Sequence, residues 1–102
     1  RAKHETWPHS PAKTVTVLCT VADAGGLALA WPLLAAIAEE LAGQRKTTAA
    51  TATALEAVLR YLPEVRAAGI AVDLPNVAAL AARKGTSKAV TVAKRIAGLQ
   101  GS

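Results

Sequence analysis

Apolar residues recur along most of this chain at intervals of three and four, and the breaks between runs fall at glycine, proline or short polar clusters, the pattern of successive amphipathic helices. Ser10-Pro11 offers an N-cap hydroxyl followed by a proline suited to a first helical turn, and Val15, Leu18, Cys19 and Ala22 follow at helical spacing. A first helix is expected over 11–24. The same stretch, "TVTVLCTV", alternates with period two at Val15, Val17, Cys19 and Val21, as a strand would. Helix is preferred, because a lone strand would have no partner elsewhere and Gly25-Gly26 is a suitable helix stop. A second helix is expected over 28–42, with Leu34, Ile37, Ala38 and Leu41 inward, Pro32 tolerated in its first turn and Gly43 ending it.

"QRKTT" reads as an exposed loop, after which Leu55, Val58, Leu59 and Leu62 make an apolar stripe for a third helix over 49–62. Leu59 is expected to anchor that stripe in the core, and Glu56 and Arg60, four apart on the outer face, are spaced for an ion pair. Pro63 either kinks this helix or starts a short successor ending at Gly69. "IAVDLP" is an extended connector, and Asp73 and Pro75 open a fourth helix that carries Val77, Leu80 and Ala81 inward and stops at Gly85. A fifth runs from Ser87 to Leu99, with Ala89, Val92, Ala93 and Ile96 inward and Lys88, Thr91, Arg95 and Gly98 outward. The expected fold is therefore all-α, one domain over 11–102 after a flexible segment 1–10. "PLLAAIA" at 32–38 echoes "PNVAALA" at 75–81, an offset of 43 residues that also sets Val15 on Val58. That period suits a HEAT-like solenoid fragment of antiparallel hairpins, and the alternative is an irregular bundle of about five helices.

Composition makes the core thin. Alanine supplies much of the apolar content, aromatics are 3%, and there is no phenylalanine or methionine, so Leu, Val, Ile and Ala must fill the interior. The single Cys19 excludes an intramolecular disulfide, fits a reducing, cytoplasmic setting and reads as a small buried hydrophobe. The opening "RAKHETWPHS" has no apolar signal region, and a first residue other than Met suggests a processed chain or an excised fragment. "LALAWPLLAAIA" at 27–38 falls short of the roughly 20 residues a membrane helix needs and is followed by Glu39 and Glu40, so it reads as core, and no membrane partner is expected.

The net charge of +5 is localised. Arg83, Lys84, Lys88, Lys94 and Arg95 supply it within "RKGTSKAVTVAKR", while residues 1–82 hold seven basic and seven acidic groups. A glycine between two helical runs invites comparison with a DNA-reading helix-turn-helix, but that motif needs apolar residues at fixed offsets from the glycine. With Gly85 as the turn, those positions hold Thr86, Thr91 and Lys94, so an αα-hairpin with Gly85 closing one helix and Ser87 capping the next is preferred. The five cations make a solvated face, or contacts to an acidic protein or to phosphates. No aromatic lies among them to stack on bases.

Catalytic constellations are poor. His4 and His9 flank Trp7 without the cysteines or carboxylates a zinc site needs, and Glu39 and Glu40 diverge by about 100° on a helix, too far to act as an acid/base pair. There is no phosphate-binding glycine loop or nucleophile elbow, so neither catalytic residue, metal nor cofactor is expected. At "TVLCTVADAGG…AWPLLAAIAEEL", "LEAVLRYLPEVRAAG" and "LPNVAALAARKGTSKAVTVAKRIAGL" the chain resembles the C-terminal region of large, uncharacterised bacterial proteins built from HEAT-like helical repeats. The resemblance runs from about Lys13 to the end and is most specific in the tail; the Ala- and Thr-rich stretch 47–54 departs from it. It implies a solenoid end with no catalytic residues, and a scaffolding role beside ATPase-linked assembly systems. The expected function is a non-enzymatic interaction module that binds a protein partner or preceding repeats, with self-association through exposed apolar helix faces. The runner-up is sequence-independent binding of nucleic acid by the basic hairpin.

Overall fold

The computed structural model describes residues 10–85 and 87–100. Among these the chain is all-α, with α1 (Pro11–Val21), α2 (Leu27–Ala42), α3 (Ala49–Ala67), α4 (Pro75–Ala81) and α5 (Lys88–Gln100), and no strand. The period-two alternation in α1 is thus overridden by helix: Thr14, Val15 and Leu18 are buried at helical spacing while Val17 is exposed. Ser10 caps α1 as its sequence suggests, its hydroxyl accepting from the Lys13 N–H at 3.3 Å.

The five separate helices expected from the pattern are four continuous helical runs, because α1 and α2 join without a loop through a π-type turn, Ala22–Gly26. The turn is nevertheless sharp. Gly25 takes φ +100°, a left-handed conformation that side-chain-bearing residues rarely adopt, and a Cβ on Gly26 would lie 2.7 Å from Val21 Cγ1. A straight helix over Pro11–Ala42 would be about 48 Å long, whereas the molecule measures 36 × 36 × 19 Å, and α1 packs against α2.

Both internal prolines lie inside a continuous helix, against the first-turn placement expected for Pro32 and in favour of the first of the two alternatives for Pro63. Pro32 lies beyond the first turn of α2, and α3 continues through Pro63 to Ala67 before Gly69 turns the chain. Each ring sits on the exposed side of its helix, where water can serve the carbonyl that loses its N–H partner. At the other end of α3 a reciprocal cap forms between Thr48 and Thr51, which explains why the start at Ala49 holds despite the weak Ala/Thr pattern. Helix α4 ends at Ala81 rather than running to Gly85, which lies in the connecting turn at φ +145°. Ser87 does cap α5, accepting from Val90 N–H at 3.4 Å.

The packing departs from a HEAT-like stack. In a stack of helical hairpins, the two helices of each repeat pack on one another. Here α1 packs on α2, but the backbones of its counterpart pair, α3 and α4, do not come close; α3 and α4 each pack on α2 and on α5 instead. The result is a slab about two helices thick, with α3 and α4 separating α2 from α5. Its core contains Leu34, Ile37, Leu55, Val58, Leu62, Val77, Leu80 and Ile96, together with two aromatic residues that the pattern did not place inward, Trp31 and Tyr61. Leu59 is only half-buried, so Leu55 rather than Leu59 anchors α3.

Truncating Leu55 or Leu80 to Ala should cost about 2 to 5 kcal/mol in urea unfolding, and Leu59→Ala roughly half as much because it already meets solvent. Gly25→Ala should cost about 1 to 2 kcal/mol through the left-handed backbone alone. Unchanged unfolding midpoints for Leu55→Ala and Leu80→Ala would contradict the packing described.

Candidate interaction surface

Three features of the surface bear on function: the basic residues of the C-terminal hairpin, a polar cluster where α1 meets α3, and the outer face of α2. In the hairpin, Lys88 forms an ion pair with Glu56 at 2.9 Å and Arg83 donates to the Gln44 carbonyl at 3.4 Å, so two of the five candidate contacts already have partners within the chain. Lys84, Lys94 and Arg95 are exposed and have no ion-pair partner among the described residues. Thr91 and Lys94, which a helix-turn-helix would turn inward, both face solvent; Thr86 lies outside the described residues.

The expected Glu56–Arg60 pair does not form. Arg60 instead reaches Asp23 in the turn at 3.3 Å, and Glu56 is taken by Lys88. Tyr61, 3% exposed, donates its hydroxyl to Asp23 Oδ1 at 2.6 Å and contacts the Cys19 carbonyl at 3.2 Å, while the Arg60 guanidinium lies 5.1 Å from its ring centre. This cluster pins the end of α1 to α3. Burial, reinforced by the hydrogen bond to Asp23, pushes the Tyr61 phenol well above its ordinary value of 10.0, so it holds its proton through the neutral range. Cys19 is half-buried on α1 rather than enclosed. Among the described residues no group of three or more His, Cys, Asp or Glu is placed to hold a metal; His4 and His9 lie outside them. Glu39 and Glu40 are half-buried at the end of α2, where the Glu39 carbonyl accepts from Asn76 Nδ2 at 3.2 Å.

The outer face of α2 is the least conventional surface. "LALAWPLLAAIA" is not wholly core: Ala30, Trp31, Leu34, Ile37 and Ala38 are buried, but Ala28, Leu29, Pro32, Leu33 and Ala36 are exposed, Leu29 by 75% and Leu33 by 47%. The helix is apolar around its whole circumference while only one side has neighbours, whereas a helix of that kind is ordinarily buried all round. The signal in the sequence is the absence of any polar residue from Ala24 to Ala38. By length and composition the run Pro11–Ala42 could cross a bilayer. The break at Gly25 divides it into arms of 11 and 16 residues, and the longer reaches only about 24 Å against a hydrocarbon core of about 30 Å. In chemical terms the face is built for apolar contact.

No protein-family model matches the chain, and no curated protein or solved structure is significantly similar to it.

The tyrosine cluster can be tested by titration. Tyr61 is the sole tyrosine, so absorbance near 295 nm reads it alone. Because its folded pKa lies above the unfolded value, its contribution to stability should be complete below about pH 10 and should fall as pH rises beyond that. Tyr61→Phe should abolish that alkaline component while costing about 1.5 to 3 kcal/mol at neutral pH through the lost bond to Asp23. A phenol that titrates normally in the folded chain would contradict the geometry.

Proposed function

We propose that the chain is a non-enzymatic protein-interaction module that binds through the outer face of α2. The observation that carries this reading is the exposure of Leu29 and Leu33 within a stripe that has no polar residue. Contiguous apolar surface of this kind marks interaction sites, and fully burying one leucine contributes about 1.5 to 3 kcal/mol. The opposite side of the slab supports the same reading by contrast. There α5 turns Lys88, Thr91, Lys94 and Arg95 outward, so that helix closes the fold with a polar face while α2 leaves its own side open. On this reading the chain is a helical unit that meets a protein partner or preceding helices in a cytoplasmic setting. Scaffolding is the role that follows.

A photo-crosslinking residue placed at position 29 should form protein adducts in intact cells, and the same residue at position 94 should not. Leu29→Ala should weaken the captured complex roughly tenfold while changing folding stability by about 0.5 kcal/mol or less. Absence of adducts at both 29 and 33 would contradict the reading.

Nucleic-acid binding by the hairpin is the second reading, favoured by the unpaired Lys84, Lys94 and Arg95. With three phosphates neutralised, the slope of log affinity against log salt would be about −2.7, so affinity for duplex DNA would fall roughly 20-fold for a threefold rise in salt. Appreciable, steeply salt-dependent binding that Lys94→Glu/Arg95→Glu abolishes would move the functional surface to α5.

A further inference from the structure

The fold brings a second basic loop against the C-terminal hairpin. The segment 43–48 meets the turn between α4 and α5 at two places. Arg83 donates to the carbonyl of Gln44, 39 residues away in sequence, and Thr47 and Thr48 share a cleft of about 380 Å³ with Ser87 and Lys88. Arg45, Lys46 and Lys84 lie between those two points, and all three are exposed. Residues 41–55 and 74–102 together hold seven basic residues and no acidic one, so the two stretches that converge here carry the whole positive balance of the chain. Glu56, the acid that lines the cleft, is already paired with Lys88, and Glu39 and Glu40 are half-buried in the last turn of α2. Arg45, Lys46, Lys84, Lys94 and Arg95 have neither ion pair nor hydrogen bond among the described residues.

From this corner the charge continues along α5. Lys88, Thr91 and Arg95 fall on one stripe of the helix, with Lys94 beside Arg95, and the step from Lys88 to Arg95 covers about 10 Å. The cations therefore form a row that starts in the 43–48 loop and runs along a helix. What the two loops expose is polar: neither 43–48 nor 83–87 contains a branched apolar or aromatic side chain. A protein interface needs an apolar centre, which these loops do not offer. Phosphate oxygens are met by Arg, Lys and hydroxyl groups, which they do offer. Ser87 caps α5 by accepting from Val90 N–H, which leaves its own proton for an outside acceptor. With no aromatic in either stretch to stack on unpaired bases, a paired backbone is the better match. We propose that loop and hairpin together form a docking surface for the phosphate backbone of duplex nucleic acid. This deepens the nucleic-acid reading of the hairpin and rests on it, adding Arg45 and Lys46 to the contacts.

The two surfaces differ in salt dependence. Five unpaired cations on five phosphates give a slope of log affinity against log salt of about −4.5, a loss of roughly 140-fold for a threefold rise in salt, whereas the hairpin alone gives about −2.7. Contacts confined to phosphates do not distinguish one base sequence from another.

The test titrates the purified full chain into fluorescein-labelled DNA duplexes of about 20 base pairs and two unrelated sequences, reading anisotropy from about 30 to 150 mM salt. The expected slope is about −4.5 for both duplexes. Arg45→Ala/Lys46→Ala and Lys94→Ala/Arg95→Ala should each reduce it to about −2.7, while helical circular dichroism and the unfolding midpoint hold. Arg45→Lys, which keeps the charge, should leave the slope unchanged. A slope near −2.7 that Arg45→Ala/Lys46→Ala does not alter overturns the proposal and leaves the hairpin reading standing. No binding even at the lowest salt removes both. Tighter binding to phosphatidylglycerol vesicles than to duplex at equal phosphate concentration, lost in Arg45→Ala/Lys46→Ala, overturns the proposal by giving the surface to a bilayer. Binding to polyglutamate as tight as to duplex overturns it in favour of an acidic protein.

Discussion

The left-handed backbone at Gly25 decides the rest of this structure. At φ +100° it ends α1, and Gly26, lacking a Cβ, lets the turn close to within van der Waals contact of Val21. Without the break, Pro11–Ala42 would be one long apolar rod with no partner of matching length. With it, α1 lies against α2, and the two arms together form a surface on which α3 packs. The same turn places Asp23 where Tyr61 and Arg60 of α3 can reach it, so a backbone feature and a buried polar cluster hold one corner of the slab jointly.

That corner also fixes which side of α2 is covered. Helices α1, α3 and α4 all pack against it, so Trp31, Leu34, Ile37 and Ala38 are enclosed, and nothing remains in the described chain to cover Leu29 and Leu33. At the opposite end, α5 buries Ala89, Val92, Ala93 and Ile96 and leaves a polar face. The molecule is therefore two-sided in chemistry: apolar on α2, basic on α5. Within the basic side the charges are not equivalent, because Lys88 is committed to Glu56 and Arg83 to a loop carbonyl.

Much of the architecture was legible from spacing alone. The inward residues of α5, the cap at Ser10 and the stripe through Leu55, Val58 and Leu62 all follow from period and turn chemistry. Four things were not. Pro32 was expected in a first turn and Pro63 left either a kink or a new start, yet a helix tolerates proline where the freed carbonyl faces water, and local sequence does not say which side that is. The 43-residue echo matched apolar letters but not packing, since which helices touch depends on how each connection turns. The outer face of α2 was hidden for the opposite reason: an all-apolar segment carries no periodicity, so its exposed half reads the same as its buried half. Tyr61 and Arg60 were missed because their partner, Asp23, is 38 and 37 residues away in sequence.

The interaction role of the chain depends on α2 being enclosed on one side and open on the other. Carbene footprinting of the dilute, purified chain with residue-level mass spectrometry measures that directly. Strong modification at Leu29 and Leu33, with Leu34 and Ile37 protected, is the predicted result. Equal modification of all four, or protection of all four, would contradict the account.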